Sequence, residues 1–262
     1  MTASKDEILR AVAGQRRALL SLVRSLDPEQ FDTQTALPGW RVREIVGHVI
    51  SLDVTSVNGK ILLVAFSSMD KLERWNDRHA ARWADRPVPD LLLGLDRWGR
   101  RFLRLARTVP APLYRLRVPT LWGRGPGGLL IWSRAYDEWV HRQDIRRAVG
   151  MDDEQVDLAP VAEFLLTAMS AAVLAQFAGR RGRVDVSLDA TPIREWRFDL
   201  GSGTGSPAGE GDPDARIGAP AHSFILAASG RERFDDLLSA GTITVEGDDS
   251  LGREFLSKTR IV

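Results

Sequence analysis

The chain has 262 residues, 44% of them hydrophobic, and this length allows about two domains that each bury a core. Its 36 lysine and arginine residues nearly cancel its 35 acidic residues, so no overall charge favours nucleic acid or an anionic membrane surface. The absence of cysteine excludes disulfides, thiolate-ligated zinc and a cysteine nucleophile, so any thiol chemistry would need a small-molecule thiol. The N-terminal residues are polar and charged, unlike a secretory signal, which predicts a cytoplasmic protein.

The first part of the chain has the pattern of a helical bundle. Ser4 and Glu7 form a capping-box signature before a run of apolar residues at helical spacing, and a Pro-Gly pair precedes a helix that begins near Trp40. An apolar stretch at 61–66 is too short to span a membrane and is interpreted as core helix. The other helices are predicted over 5–26, 69–83, 90–107 and 128–150. Short turns between helices of these lengths predict an antiparallel bundle over residues 1–150.

In the second part of the chain the pattern changes to a mixture of helices and strands. Two segments, 184–188 and 196–200, alternate apolar with polar residues as half-buried strands do. Two glycine-rich segments, 123–128 and 201–212, predict flexible loops. The remaining elements are predicted as helices over 158–177, after Pro220, over 231–239 and from about 250, with strands near 215–217 and 242–246. This mixture predicts an α+β domain over residues 151–262, with helices packed on one face of a sheet.

Three residues have the spacing of a divalent-metal site. Asp137 and His141 are four positions apart on a predicted helix, so their side chains share one face. His48 lies beside the apolar face of another predicted helix, and helix bundles commonly hold metal sites between facing helices. Two histidines and a carboxylate leave coordination positions open for water or substrate, which is typical of catalytic rather than structural sites. For the Asp137 and His141 pair, the competing interpretation is a hydrogen-bonded core histidine.

The same residues resemble a known family. The stretch Leu-Pro-Gly-Trp-Arg-Val-Arg-Glu-Ile-Val-Gly-His that ends at His48 is similar to the mycothiol-dependent maleylpyruvate isomerase family, as is the Trp-Val-His-x-x-Asp-Ile context within 137–145. The tail from Asp214 to Asp248 resembles the second domain of that family. The resemblance implies a DinB-like four-helix bundle at the N-terminus and a sterol-carrier-protein-like α+β domain at the C-terminus.

The resemblance also implies a set of metal ligands. The family uses histidine, glutamate and histidine, which fall on His48, Asp137 and His141. Aspartate is one methylene shorter than glutamate, so either the helix approaches the metal more closely or the neighbouring Glu138 contributes instead. Trp40 lies within the first motif and is predicted to pack the bundle rather than to stack on a ligand.

Other polar residues are predicted to support the site or to lie outside it. Asp144 and Glu44 are candidate acceptors for the imidazole N–H groups of metal-bound histidines. Arg231, in a Ser-Gly-Arg turn, is by resemblance the candidate catalytic guanidinium that recognises a carboxylate of the thiol or the substrate. His79 and His222 are left out of the predicted site, because the first lies in a polar helix and the second has no acid at ligand spacing.

The resemblance implies an enzyme with a divalent metal, zinc or nickel, and mycothiol as thiol cosubstrate. The metal would lower the pKa of the thiol, and the thiolate would attack an electrophilic small molecule. In the family the reaction is cis–trans isomerisation of maleylpyruvate to fumarylpyruvate, and transfer to other electrophiles would use the same thiol. Two other functions stay open, a non-catalytic metal- or ligand-binding protein and a metal-assisted hydrolase. The predicted partners are therefore small molecules, without nucleic acid or membrane.

Overall fold

The computed structural model describes residues 3–59, 69–155, 157–190, 192 and 194–261. Its first part consists of α1 (Lys5–Arg24), a 3-10 helix (Pro28–Asp32), α2 (Val42–Val57), α3 (Met69–Ala84), α4 (Val88–Thr108), α5 (Ala111–Arg115), β1 (Arg117–Thr120), β2 (Gly123–Pro126) and α6 (Leu129–Ala148). Helix α2 packs against α3 and α4, and α1 packs against α4 and α6. The predicted core helix at 61–66 lies outside the described residues.

Helix α1 begins with the predicted capping box. The backbone N–H of Glu7 donates to Ser4 Oγ over 3.3 Å, and the backbone N–H of Ser4 donates to the Glu7 carboxylate over 2.7 Å. This exchange satisfies two backbone donors that the first turn of a helix leaves without partners. The local signal was therefore sufficient to predict where this helix starts.

The second part of the chain combines a sheet with helices. Its elements are α7 (Leu158–Ala172), a 3-10 helix (Leu174–Phe177), β3 (Arg183–Asp189), β4 (Arg194–Asp199), β5 (Thr204–Pro207), β6 (Ala215–Pro220), α8 (Ala221–Ala228), α9 (Phe234–Ser239), β7 (Thr244–Gly247) and α10 (Asp249–Ser257). Within the described residues the strands form a five-stranded sheet in the order β5-β4-β3-β6-β7, in which only β3 and β6 are parallel neighbours. Helices α7, α8 and α10 pack against its strands. The predicted fold class, a helical part followed by an α+β part, is confirmed.

Two segments that were predicted as flexible loops contain strands. Strands β1 and β2 pair antiparallel with Thr120 opposite Gly123, and β5 pairs with β4 with Thr204 opposite Asp199. Because backbone groups make these hydrogen bonds, a glycine-rich strand can form without alternating apolar side chains. The loop predictions at 123–128 and 201–212 are therefore wrong where the strands lie.

The apolar core has two clusters. One lies among α1, α2 and α4 and includes Leu19, Ile45 and Leu95. The other extends from Trp132 on α6 through α7 to Phe224 on α8, so apolar packing continues from the bundle to the sheet domain. This continuity anchors α6 between the two parts of the chain. None of the helices in the described ranges combines the length and apolar character needed to cross a membrane.

Candidate metal centre

Three side chains from two helices converge between α2 and α6. His48 comes from α2, and Asp137 and His141 lie one turn apart on α6. Oδ1 of Asp137 lies 3.5 Å from His48 Nε2 and 3.5 Å from His141 Nε2. One donor atom from each residue lies within 4.8 Å of the other two, and the imidazole ring centres are 5.2 Å apart. Two ligand atoms about 2.1 Å from one zinc ion in a tetrahedron are about 3.4 Å apart, which matches the two 3.5 Å distances from Asp137 to the histidines.

A close approach of α2 to α3 determines the orientation of His48. Gly47 lies against the backbone of α3, where an added Cβ atom would be only 2.5 Å from the carbonyl oxygen of Ala80. Glycine is therefore needed for this contact between the helices. One turn later, the Ser51 hydroxyl donates to the carbonyl of His79 over 2.9 Å. These contacts fix the rotation of α2, and His48 is 4% exposed.

The imidazole of His141 has a defined hydrogen-bond partner, Asp144. His141 Nδ1 lies 2.9 Å from Asp144 Oδ2, and because a carboxylate only accepts, Nδ1 carries a proton and Nε2 is the nitrogen that faces Asp137. Burial by itself raises the pKa of Asp144, but hydrogen bonds from His141 and Arg231 lower that pKa to about 2. Asp144 is therefore ionised at neutral pH. Glu44 instead accepts hydrogen bonds from Arg41, so its predicted role as an imidazole acceptor is wrong.

The imidazole of His48 is held without such an acceptor. Among the described residues, its buried Nδ1 atom has no hydrogen-bond partner. Burial lowers the pKa of His48, and this effect outweighs the opposite effect of Asp137. The ring is therefore neutral at pH 7, which is the form that offers a lone pair to a metal.

Trp40 lies against both histidines, a contact that the sequence analysis missed. Its ring centre is 5.1 Å from that of His48 and 6.1 Å from that of His141. The indole N–H donates to Asp77 on α3 over 2.9 Å. The preceding Gly39 has φ +75°, a left-handed conformation that favours glycine in this turn. The position of the Pro-Gly-Trp turn directly before the helix that carries His48 is the signal that could have placed Trp40 here.

Asp137, and not Glu138, faces the two histidines. Glu138 is fully buried and accepts hydrogen bonds from Arg16 over 2.8 and 2.6 Å. Oδ2 of Asp137 accepts from Arg134 over 2.7 Å, which leaves Oδ1 facing the imidazoles. Burial by itself raises the pKa of Asp137, but Arg134 and His141 hold it well below its usual value. The shorter acid is therefore an ionised donor at this site.

Arg231 connects the sheet domain to the candidate centre through Asp144. Its Nε and Nη2 atoms donate to the two oxygens of Asp144 over 3.1 and 2.9 Å, and Nη1 donates to the carbonyl of Ser229 over 2.7 Å. Burial by itself lowers the pKa of Arg231, but the hydrogen bond and the charge of Asp144 outweigh this effect and raise the pKa above its usual value. The guanidinium is therefore charged. Arg231 thus contacts the partner of His141 and not one of the three converging donors.

The other two histidines lie outside the group of three. His79 Nδ1 donates to the carbonyl of Trp75 over 2.8 Å. His222 Nε2 lies 3.3 Å from Asp153 Oδ2, an acidic neighbour that the sequence did not reveal because the two residues are far apart in the chain. Among the described residues, only His48, Asp137 and His141 form a group of this kind.

Replacing Asp144 by alanine is expected to lower the affinity for a divalent ion about 10- to 100-fold, the usual cost of losing the partner of a ligating histidine. The cause is loss of the acceptor that fixes the proton of His141 on Nδ1. Competition with a coloured chelator would measure the dissociation constant. Asp153→Ala is the matched control, because Asp153 pairs with Arg147 outside the centre. Equal affinities for Asp144→Ala and the wild type would contradict this role.

The chain matches two family models. Residues 12–146 match the mycothiol maleylpyruvate isomerase N-terminal domain, and residues 163–257 match the SCP-2 sterol transfer family. No curated protein matches the chain. The first match covers just over half of the 262 residues, and the second covers most of the sheet domain.

Two solved structures share the whole architecture. A crystal structure of the mycothiol-dependent maleylpyruvate isomerase is 16% identical, with a TM-score of 0.60 over 93% of this chain and 93% of that chain. The structure of a mutant of that isomerase has the same identity and coverage and a TM-score of 0.59. At 16% identity, the similarity to these two structures shows only that the fold is shared. Family membership is shown by the matches to the family models. The chain therefore belongs to the mycothiol-dependent maleylpyruvate isomerase family, with a helical N-terminal region and an SCP-2-like C-terminal domain.

Proposed function

We propose that the chain is an enzyme that uses one divalent metal ion to activate a small-molecule thiol, with mycothiol as the thiol. The observation that carries this proposal is the convergence of one donor atom each from His48, Asp137 and His141 within 4.8 Å. Membership of the family supports mycothiol as the thiol. Because the chain has no cysteine, a sulfur nucleophile would have to come from a bound small molecule.

Each residue of the centre has a separate proposed role. His48 and His141 supply two nitrogen donors, and Asp137 supplies one anionic oxygen donor. When bound by these donors, an ion such as zinc or nickel would supply a Lewis acid that lowers the pKa of a thiol. Asp144 keeps the proton of His141 on Nδ1, so that Nε2 stays free to bind.

The proposed reaction is cis–trans isomerisation of maleylpyruvate or a related electrophile. A carbon–sulfur bond forms at one carbon of the double bond, and the electron pair moves to the conjugated carbonyl group. The carbon–carbon bond is then single and rotates. Departure of the sulfur restores the double bond in the trans form, so no atom is gained or lost. If the sulfur does not depart and the enolate instead takes up the proton that the thiol lost, the outcome is transfer of the thiol to the electrophile.

Arg231 is the proposed contact for a carboxylate of the substrate or the thiol. A guanidinium has five N–H donors on three nitrogen atoms. In Arg231, each nitrogen atom donates one of these N–H groups, either to Asp144 or to the carbonyl of Ser229. Two N–H groups therefore remain for a ligand. A bidentate guanidinium matches the geometry of a carboxylate, and the bond to Asp144 holds it beside His141.

The test begins with elemental analysis of the purified protein, followed by an isomerisation assay with and without mycothiol. The expected result is one divalent ion per chain and conversion of maleylpyruvate only when the thiol is present. Metal without thiol-dependent turnover would instead support a binding protein. Hydrolysis of an ester or amide substrate without any thiol would support the metal-assisted hydrolase.

Replacing Arg231 by alanine is expected to lower kcat/KM about 10- to 100-fold, which corresponds to the loss of one charged hydrogen bond to the substrate or thiol. Bound metal should remain at one ion per chain, since His141 keeps its bond to Asp144. Steady-state kinetics and elemental analysis would measure both quantities. Arg233→Ala is the control, because the Arg233 side chain is 75% exposed. Unchanged kinetics for Arg231→Ala would remove the C-terminal domain from the proposed reaction.

A further inference from the structure

Arg134 is a buried arginine that contacts both sides of the candidate metal centre. It lies on α6 one turn before Asp137 and is 4% exposed. Its Nη1 atom donates to Asp137 Oδ2 over 2.7 Å, and its Nη2 atom donates to the backbone carbonyl of Val49 over 3.2 Å. Val49 directly follows His48 on α2. One planar guanidinium therefore joins the acidic donor on α6 to the backbone beside the histidine donor on α2.

The contact with Arg134 gives the two oxygens of Asp137 different environments. Oδ2 is occupied by the guanidinium, whereas Oδ1 faces the Nε2 atoms of His48 and His141 at 3.5 Å each. A carboxylate without such a partner can rotate and bind a metal through both oxygens. The hydrogen bond from Arg134 holds the carboxylate plane so that one oxygen points at the centre.

Arg134 also belongs to a larger buried group of charges. Its Nη2 atom lies 3.6 Å from Asp53 and 3.6 Å from Glu138, and both of these carboxylates pair with Arg16. With Asp137, the group contains two guanidinium groups and three carboxylates, which leaves a net charge of −1. A divalent ion would change this net charge to +1. The buried group can therefore accept the ion together with one further negative charge, such as a thiolate.

We propose that Arg134 is a positioning residue that makes Asp137 a one-oxygen ligand and holds its carboxylate at a fixed position relative to His48. This inference rests on the proposed function, because it assumes a metal at the centre. Lysine cannot replace arginine here, since an ammonium group is a point charge that does not hold two acceptors in one plane. With lysine at this position, Asp137 can turn and present both oxygens.

The test compares wild-type protein with Arg134→Lys after loading with Co²⁺, whose visible absorption depends on coordination geometry. Wild-type protein is expected to show the intense bands of a four-coordinate ion. Arg134→Lys is expected to show weaker bands of higher coordination and an affinity about 10- to 100-fold lower. Arg142→Lys is the matched control, because Arg142 lies on the same helix, is 1% exposed and pairs with Glu154 outside the centre. Its spectrum should equal that of the wild type.

Two results would overturn the inference. One is an identical Co²⁺ spectrum and affinity for Arg134→Lys and the wild type. The other is X-ray absorption of zinc-loaded wild-type protein that shows both oxygens of Asp137 on the metal, a measurement that stays decisive if Arg134→Lys does not fold. Failure of wild-type protein to bind any divalent ion would refute the proposed function itself, and this inference with it.

Discussion

Substitution of His48 by alanine is expected to abolish stoichiometric metal binding and thiol-dependent turnover together. The variant removes one of the three converging donors and leaves only Asp137 and His141 on α6. Removal of a residue that only hydrogen-bonds to a metal ligand lowers the affinity for the metal about 10- to 100-fold. Removal of His48, a proposed ligand itself, should therefore lower that affinity more than about 100-fold. Elemental analysis after gel filtration would measure the bound metal, and the isomerisation assay would measure turnover.

His222→Ala is the matched control for this experiment. The His222 side chain is 11% exposed and its Nε2 atom lies 3.3 Å from Asp153, so it resembles His48 in burial and in having an acidic neighbour. It lies outside the group of three donors, and its removal should leave one metal ion per chain. One equivalent of metal on His48→Ala would show that α2 supplies no ligand, and the proposed centre would then be wrong.

Substitution of Arg16 by methionine is expected to lower the free energy of unfolding by about 3–5 kcal/mol, the cost of leaving a buried ion pair without one partner. Arg16 is 6% exposed and pairs with Asp53 on α2 over 2.5 Å and with Glu138 on α6 over 2.6 Å. The two carboxylates have side-chain exposures of 0%. Gly99 on α4 makes room for the guanidinium, since a Cβ atom there would overlap it. Urea denaturation would measure the change.

Arg24→Ala is the control on the same helix. The Arg24 side chain is 56% exposed and lies 3.9 Å from Asp96, so its removal should change the free energy of unfolding by less than about 1 kcal/mol. An equal effect for Arg16→Met and Arg24→Ala would mean that the buried pairs contribute no more than a surface contact. The bundle would then not depend on Arg16 to join α1 to α2 and α6.

Local sequence patterns were enough to predict most of the helices and strands and one face of the site. The capping box at Ser4 and Glu7 predicted the start of α1, because both hydrogen bonds are made within one turn. The spacing of Asp137 and His141 predicted a shared face, because helix geometry alone determines it. Alternating apolar residues predicted β3 and β4, and these apolar side chains are buried in both strands. The strands β1, β2 and β5 were missed because they lie in segments without alternating apolar residues, where backbone hydrogen bonds alone mark the pairing.

The choice between Asp137 and Glu138 depended on the tertiary structure. The two acids are neighbours on α6, and spacing alone cannot say which of them faces His48, because that depends on how α6 is rotated against α1 and α2. In the folded chain, Arg16 binds Glu138 on the side of α1, and this contact leaves Asp137 on the side of the histidines. The contact between Arg231 and Asp144 likewise joins residues that only packing of the two domains brings together.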